Sequence, residues 1–110
     1  MVDKSIVTAV QQYLRLVLDH GIDVSFGVLF GSHAKGTAHE WSDIDLVVVS
    51  PRFDEKYDHN DVALLWRLTV RTASSIEPIP CGERQWYEDD SSAIIEIARR
   101  EGTLIPVPDA

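Results

Sequence analysis

The 110-residue sequence lacks several features that would each mark a particular class of protein. Cys81 is its one cysteine, so no disulfide can form within the chain, which suits a reducing compartment. No apolar run approaches the roughly 20 residues that span a bilayer, and the first five residues lack the basic and apolar blocks of a signal peptide. We therefore expect a cytoplasmic protein with no membrane segment.

Positive charge is also scarce. The chain has 10 Lys and Arg residues against 18 Asp and Glu residues, which gives a formal net charge of −8. Proteins bind nucleic acid largely through positive charge, so we expect no autonomous nucleic-acid binding. The negative charge suits a protein that holds a divalent cation or pairs with a basic partner, although solubility alone would also account for it.

Helical and strand patterns alternate along the chain, with no repeat, low-complexity tract or interdomain linker. We expect a single domain over residues 1–110. The predicted helices cover 3–20, 32–38, 61–73 and 91–100, and the predicted strands cover 22–30, 43–50, 75–81 and 103–107. Residues 51–60 are predicted to be a polar loop, and residues 82–87 a loop or single turn. This order predicts an α/β (α+β) fold in which helices pack on a mixed β-sheet in two layers.

Apolar spacing predicts which side chains face the core. The helix over 61–73 is expected to bury Val62, Leu65, Trp66, Val70 and Ala73. The helix over 91–100 is expected to bury Ile94, Ile97 and Ala98. Pro78 and Pro80 donate no backbone hydrogen bond, so the strand over 75–81 is predicted to lie at an edge of the sheet.

Residues 30–49 read as a strand, a glycine turn, a short helix and a second strand that opens with two carboxylates. Gly31 would let backbone N–H groups approach a phosphate closely, and Ser32 would cap the following helix. Asp43 and Asp45 lie two apart on a strand, so they share a face with Cα atoms roughly 6.6 Å apart. Two carboxylates about 5 Å apart repel by about 3 kcal/mol at an effective dielectric constant near 20. A bound divalent cation would reverse that cost.

Each of these residues also has a plain structural explanation. Asp43 could be a turn residue and Asp45 an acid at the rim of the core. Glu77 could be an exposed residue of an edge strand, and Ser32 only a helix cap. Lys35 could be a solvated surface residue.

The pattern Phe30-Gly31-Ser32, ten further residues and Asp43-Ile44-Asp45-Leu46, followed by Glu77, resembles the nucleotidyltransferase superfamily that shares the palm fold of DNA polymerase β. Residues 31–36 together with 42–46 are similar to the minimal nucleotidyltransferases of prokaryotic HEPN/MNT toxin–antitoxin pairs. The resemblance extends over nearly the whole chain in the order of elements. It implies a palm-like mixed sheet.

The resemblance also implies Mg²⁺-dependent transfer of a nucleoside monophosphate, AMP from ATP. Two Mg²⁺ ions would be held by Asp43, Asp45 and Glu77, which are the implied catalytic residues. The nucleotide would be bound by Gly31, Ser32, Lys35 and Ser42. Two positions depart from the family pattern: Pro78 follows the third acid where an apolar residue is usual, and Lys35 stands where many members have Arg.

The chain is too short to contain the acceptor-binding domain that larger relatives carry. The resemblance therefore implies that a HEPN-type toxin is the partner, and that AMP transfer to one of its tyrosines silences its RNase activity. Two alternatives stay open: a non-catalytic antitoxin that binds its partner through a vestigial site, and a nucleotidyltransferase that acts on RNA or on a small molecule. An open strand edge would permit a homo- or hetero-oligomer.

Overall fold

The computed structural model describes residues 4–31, 43–55, 58–72, 76–89 and 91–108. These residues form nine helices and strands: α1 (Lys4–Asp19), β1 (Phe26–Phe30), β2 (Ile44–Val49), α2 (Arg52–Glu55), α3 (His59–Thr69), β3 (Ile76–Cys81), α4 (Glu83–Glu88), α5 (Ala93–Glu101) and β4 (Thr103–Pro106). None of the helices in these ranges is long and apolar enough to cross a membrane.

The four strands form one mixed sheet in the order β3-β2-β1-β4. β1 runs antiparallel to both β2 and β4, whereas β2 and β3 run parallel. The predicted mixed sheet is confirmed, and so is the position of β3 at an edge. Pro78 and Pro80 fit that position, because backbone N–H groups alternate in direction along a strand and both missing donors face away from β2.

The two faces of the sheet bury separate cores, because side chains alternate between faces along each strand. The back face packs on α1 and α3 through a core that includes Tyr13, Leu14, Leu65, Leu46 and Val48. The front face packs on α4 and α5 through Val28, Phe30, Val47, Val49, Cys81, Trp86, Ile95 and Ala98. Helices thus cover both faces, so the expected two-layer arrangement is wrong. The additional layer comes from α4, which the sequence pattern gives as a loop or single turn, together with α5.

Three rows of side chains cross the front face, because the registers of β1, β2 and β3 align them. We give each row a name. The acid row is Phe30, Asp45 and Glu77; the middle row is Val28, Val47 and Ile79; and the closed row is Phe26, Val49 and Cys81. The rows lie one behind the other, about 6.6 Å apart along the strands.

Several predicted boundaries need correction. β1 begins at Phe26 and not at residue 22, because the backbone before it turns: the Val24 N–H donates to the Ile22 carbonyl at 2.9 Å. The segment 51–60 is not a plain polar loop, since it contains α2, in which Phe53 is buried. α4 continues for six residues, and the Gln85 side chain accepts a hydrogen bond from the Gly82 N–H at its start.

The buried sides of α3 and α5 also differ from the prediction. Trp66 is 48% exposed and Val70 82% exposed, while Leu65 and Leu68 face the core. The Tyr13 hydroxyl donates to the Leu65 carbonyl at 2.7 Å, which fixes the rotation of α3 against α1. In α5, Ile95 and Ala98 are buried, and the predicted core residues Ile94 and Ile97 are 49% and 38% exposed.

Candidate active site

The acid row brings together carboxylates that are far apart in the sequence. Asp45 pairs with Phe30 on one side, and Glu77 pairs with Asp45 on the other, across the parallel strands β2 and β3. Neighbouring strands lie about 4.8 Å apart, so the Asp45 and Glu77 side chains leave the sheet side by side. Asp43 lies just before β2 and is exposed, while Asp45 and Glu77 are partly buried.

The surroundings of Glu77 raise the pKa of its carboxyl group. Burial raises this pKa above its ordinary value of 4.5. The negative charges of Asp43 and Asp45 raise it further, as do side-chain hydrogen bonds that Glu77 makes with each of them. Like charges disfavour ionisation of a neighbouring carboxyl. The three carboxylates therefore form one electrostatic group at the end of the sheet.

Gly31 contacts this group directly after β1. Its φ of +77° lies in the left-handed region, which side-chain-bearing residues rarely adopt. A Cβ built on Gly31 would collide with the Oδ2 atom of Asp45. A glycine is therefore required here both by the backbone conformation and by the space that the Asp45 carboxylate occupies.

The structure thus groups four of the seven predicted site residues: Gly31, Asp43, Asp45 and Glu77. The other three, Ser32, Lys35 and Ser42, lie outside the described residues, as does the predicted helix over 32–38. Nucleotide binding by these three residues remains a prediction.

The carboxylates are the donor type that a hard divalent cation prefers, since Mg²⁺ and Ca²⁺ take oxygen ligands. Within the described ranges, no three His, Cys, Asp or Glu side chains already stand in the geometry of a metal shell. The mutual repulsion that raises the Glu77 pKa is what a cation would relieve. The chemistry of the donor set therefore fits a divalent cation, and its ligands would have to rotate toward it.

Two apolar residues that were not predicted as site residues, Phe30 and Ile79, border the three carboxylates. Phe30 shares the acid row, and Ile79 lies directly behind Glu77 on the same face. The strand register decides both positions, and no local pattern predicts a register. The alternation of Glu77 and Ile79 within one strand is the signal that could have placed Ile79.

The closed row, at the other end of the front face, holds no comparable chemistry. Burial raises the pKa of the Cys81 thiol to about 12, with a smaller contribution from the charge of Asp54. Trp86 covers this end, with its ring edge-on to Phe26 at a centroid distance of 6.0 Å. The Arg99 guanidinium lies 5.9 Å from the centre of the Trp86 ring. Cys81 therefore behaves as a small buried apolar residue.

Comparison with known proteins gives a family match and two similar folds. Residues 10–101 match the family model described as "Nucleotidyltransferase domain". Two solved structures share the fold. An inferred nucleotidyltransferase from Sulfolobus solfataricus has 15% identity and a TM-score of 0.61, with 89% of this chain and 77% of that chain covered. A toxin–antitoxin structure with AMP-PNP has 20% identity and the same TM-score, with coverages of 90% and 74%. No curated protein matches the sequence.

Proposed function

Because the chain belongs to the nucleotidyltransferase domain family, we propose that it transfers AMP from ATP to a hydroxyl group on another protein. The observation that supports this proposal most directly is the joint placement of Asp43, Asp45 and Glu77 beside Gly31. Nucleotidyl transfer needs charge neutralisation and positioning more than covalent chemistry from the protein. The carboxylates would provide charge neutralisation by holding a divalent cation, and the glycine turn would help to position the phosphates.

Asp43, Asp45 and Glu77 would hold the divalent cation, with Mg²⁺ as the proposed ion and two ions as the proposed number. When bound, Mg²⁺ supplies positive charge that stabilises the attacking and leaving oxygens of the displacement. The three carboxylates offer oxygen ligands only, which favours Mg²⁺ over ions that prefer nitrogen or sulfur.

The reaction divides between the two sides of the acid row. Gly31 lets backbone approach the polyphosphate, and Ser32, Lys35 and Ser42 are the further residues predicted to bind it. Glu77, on the outer strand, would accept the proton of the attacking hydroxyl. Its raised pKa is a property of the carboxylate group without a bound cation, because the charges of Asp43 and Asp45 contribute to it.

A HEPN-type toxin is the proposed acceptor, and the cytoplasm the proposed compartment. The proposal draws support from the structural neighbour that is a toxin–antitoxin protein with a bound ATP analogue. The strands that the structure describes form one sheet, and none of them builds a separate acceptor-binding unit. This sheet is consistent with the proposed single nucleotidyltransferase domain over residues 1–110.

The departure from the family pattern at Pro78 favours the binding-only alternative if that proline disturbs the strand around Glu77. β3 nevertheless keeps an unbroken register with β2 from Ile76 to Cys81. The prolines therefore do not turn Glu77 away from Asp45, and the feature that favoured a vestigial site loses its basis. Transfer to RNA or to a small molecule is distinguished by the acceptor in the experiment below.

The test is transfer of label from α-³²P-ATP with Mg²⁺, with the product of the adjacent reading frame as acceptor. An Asp43→Asn, Asp45→Asn double variant serves as the control, because it keeps the side-chain volumes and removes the charge. Label on the partner protein that the variant fails to transfer is the expected result. Absence of transfer to the protein, to RNA and to small hydroxyl acceptors would contradict the proposal.

A further inference from the structure

Ile79 is the residue that an incoming acceptor would meet beside Glu77. It lies two positions further along β3, so both side chains project from the front face. Ile79 is partly buried and packs against the front core, which leaves part of its side chain accessible. Among the described strands, β3 is the outer strand on this side of the sheet.

The outer edge of β3 lacks two of the donors that another strand would need for regular pairing. Alternate residues of β3 form hydrogen bonds toward β2. For example, the Ser50 N–H, directly after β2, donates to the Cys81 carbonyl of β3 at 3.0 Å. Pro78 and Pro80 occupy the other positions, so their nitrogens face outward and carry no hydrogen. A regular ladder on this edge would lack those donors, and strand addition beside Glu77 is disfavoured.

The chemistry of the displacement sets the direction of attack. The acid row runs from the Gly31 side of β1, across Asp45, to Glu77, about 10 Å over three strands. The proposed function puts the polyphosphate on the Gly31 side. In phosphoryl-group transfer the attacking and leaving oxygens lie roughly in line with the phosphorus between them. The acceptor must then arrive from the opposite side, over the edge of β3.

We propose that Ile79 is a specificity-determining residue for the acceptor, which it contacts through the apolar body that carries the hydroxyl. This inference rests on the proposed function. In the step itself, the hydroxyl oxygen bonds to the α-phosphorus, and the bond from that phosphorus to the bridging oxygen of the β-phosphate breaks. Pyrophosphate leaves, and the hydroxyl proton goes to the Glu77 carboxylate.

The surroundings define the acceptor class. The exposed part of Ile79 favours a ring or hydrocarbon over a sugar. A hydroxyl on an apolar body, such as a phenol, meets this condition. A sugar hydroxyl within a polynucleotide does not.

The experiment compares Ile79→Thr with Ile79→Val, two β-branched variants of nearly equal shape that differ in polarity. Leu104→Thr is the matched control, because Leu104 is 55% exposed on the opposite edge strand and shares the front face through its pairing with Val28. The acceptor probes are N-acetyltyrosinamide and N-acetylserinamide, with α-³²P-ATP and Mg²⁺. Affinity for Mg²⁺·ATP is measured separately.

Ile79→Thr should lower kcat/KM for the tyrosine probe about tenfold, mainly through the KM for the acceptor. The preference for the tyrosine probe over the serine probe should fall with it, while Mg²⁺·ATP affinity stays within about twofold. Ile79→Val and Leu104→Thr should resemble the wild type.

An unchanged preference in Ile79→Thr overturns the inference, as does an equal effect in Leu104→Thr. Wild-type protein that binds Mg²⁺·ATP but labels no phenol also overturns it, and leaves the donor half of the proposed function standing. Wild-type protein that does not bind Mg²⁺·ATP contradicts the proposed function itself.

Discussion

The two ends of the front face are built from the same three strands and differ in almost every physical property. In the acid row, Asp45 and Glu77 are partly buried, and the neighbouring Asp43 is exposed. The closed row, which lies beyond the middle row, is apolar and is covered by Trp86. One end tolerates repelling charges, and the other supplies the packing that offsets their cost. The residues for stability and the residues for chemistry thus lie at different ends of the strands. We expect that a substitution can impair one property without impairing the other.

The largest expected effect comes from the acid row. Asp45→Asn should lower nucleotidyl transfer at least about 10³-fold, because it removes one charge that would hold the cation. The thermal midpoint should not fall, since the variant loses a repulsion and keeps the volume. Transfer rates and thermal melts of the same preparation measure both. A variant that loses activity only because it unfolds would contradict the separation of chemistry from stability.

Trp86→Ala is the corresponding change at the closed row. Trp86 is 9% exposed, and truncation of a buried Trp costs about 3–5 kcal/mol of unfolding free energy. Urea denaturation should detect that loss, while the transfer rate per folded molecule stays within about twofold of the wild type. Loss of activity with unchanged stability would mean that the two ends are coupled.

Gly31→Ala tests the contact between the turn and the acid row. The variant should lose about 1–3 kcal/mol of stability from the left-handed backbone, and it should also bind Mg²⁺·ATP more weakly because the new Cβ displaces the Asp45 carboxylate. Gly21→Ala is the control: Gly21 has a φ of +96°, but no atom lies within 4 Å of an added Cβ. Equal nucleotide affinity in the two variants would contradict the assignment of Gly31 to the site.

The smallest effect concerns the stability of the acid row against pH. The Glu77 pKa is raised in the folded protein, so the wild type loses stability as pH rises through that value. Glu77→Gln should therefore be more stable than the wild type at neutral pH, by less than about 1 kcal/mol for a partly solvated group. The difference should vanish below the ordinary value of 4.5. Melting curves from acid to neutral pH measure it, and a variant less stable at pH 7 would refute the sign.

The sequence was sufficient to group Gly31 with the carboxylates Asp43, Asp45 and Glu77. Gly31 and the alternating pair Asp43 and Asp45 are close in sequence, and the family spacing added Glu77. It was not sufficient to show that Phe30 and Ile79 border them, because register is a property of strand pairing and not of any one strand. The same limit applies to Ser32, Lys35 and Ser42, whose predicted roles lie outside the described residues.

The rotation of the helices was the least predictable part of the fold. α3 carries apolar residues around most of its circumference, so periodicity alone could not choose between the Trp66 side and the Leu65 side. Tertiary contacts made the choice. Asp61, which lies on the Leu65 side, is 7% exposed and pairs with Arg52 Nε at 2.7 Å, a polar interaction that hydrophobic spacing does not detect.

The position of β4 has a consequence for the order of folding. Thr103 pairs with Leu29, 74 positions earlier in the chain, so β1 gains its second neighbour only when a distant segment returns to it. On the ribosome, β1 can pair with β2 early, but its other edge must wait until residues 103–106 have emerged. Such long-range pairing slows folding and leaves a hydrophobic strand edge unprotected in the meantime. We expect the nascent chain to be most prone to aggregation during that interval, before β4 completes the sheet.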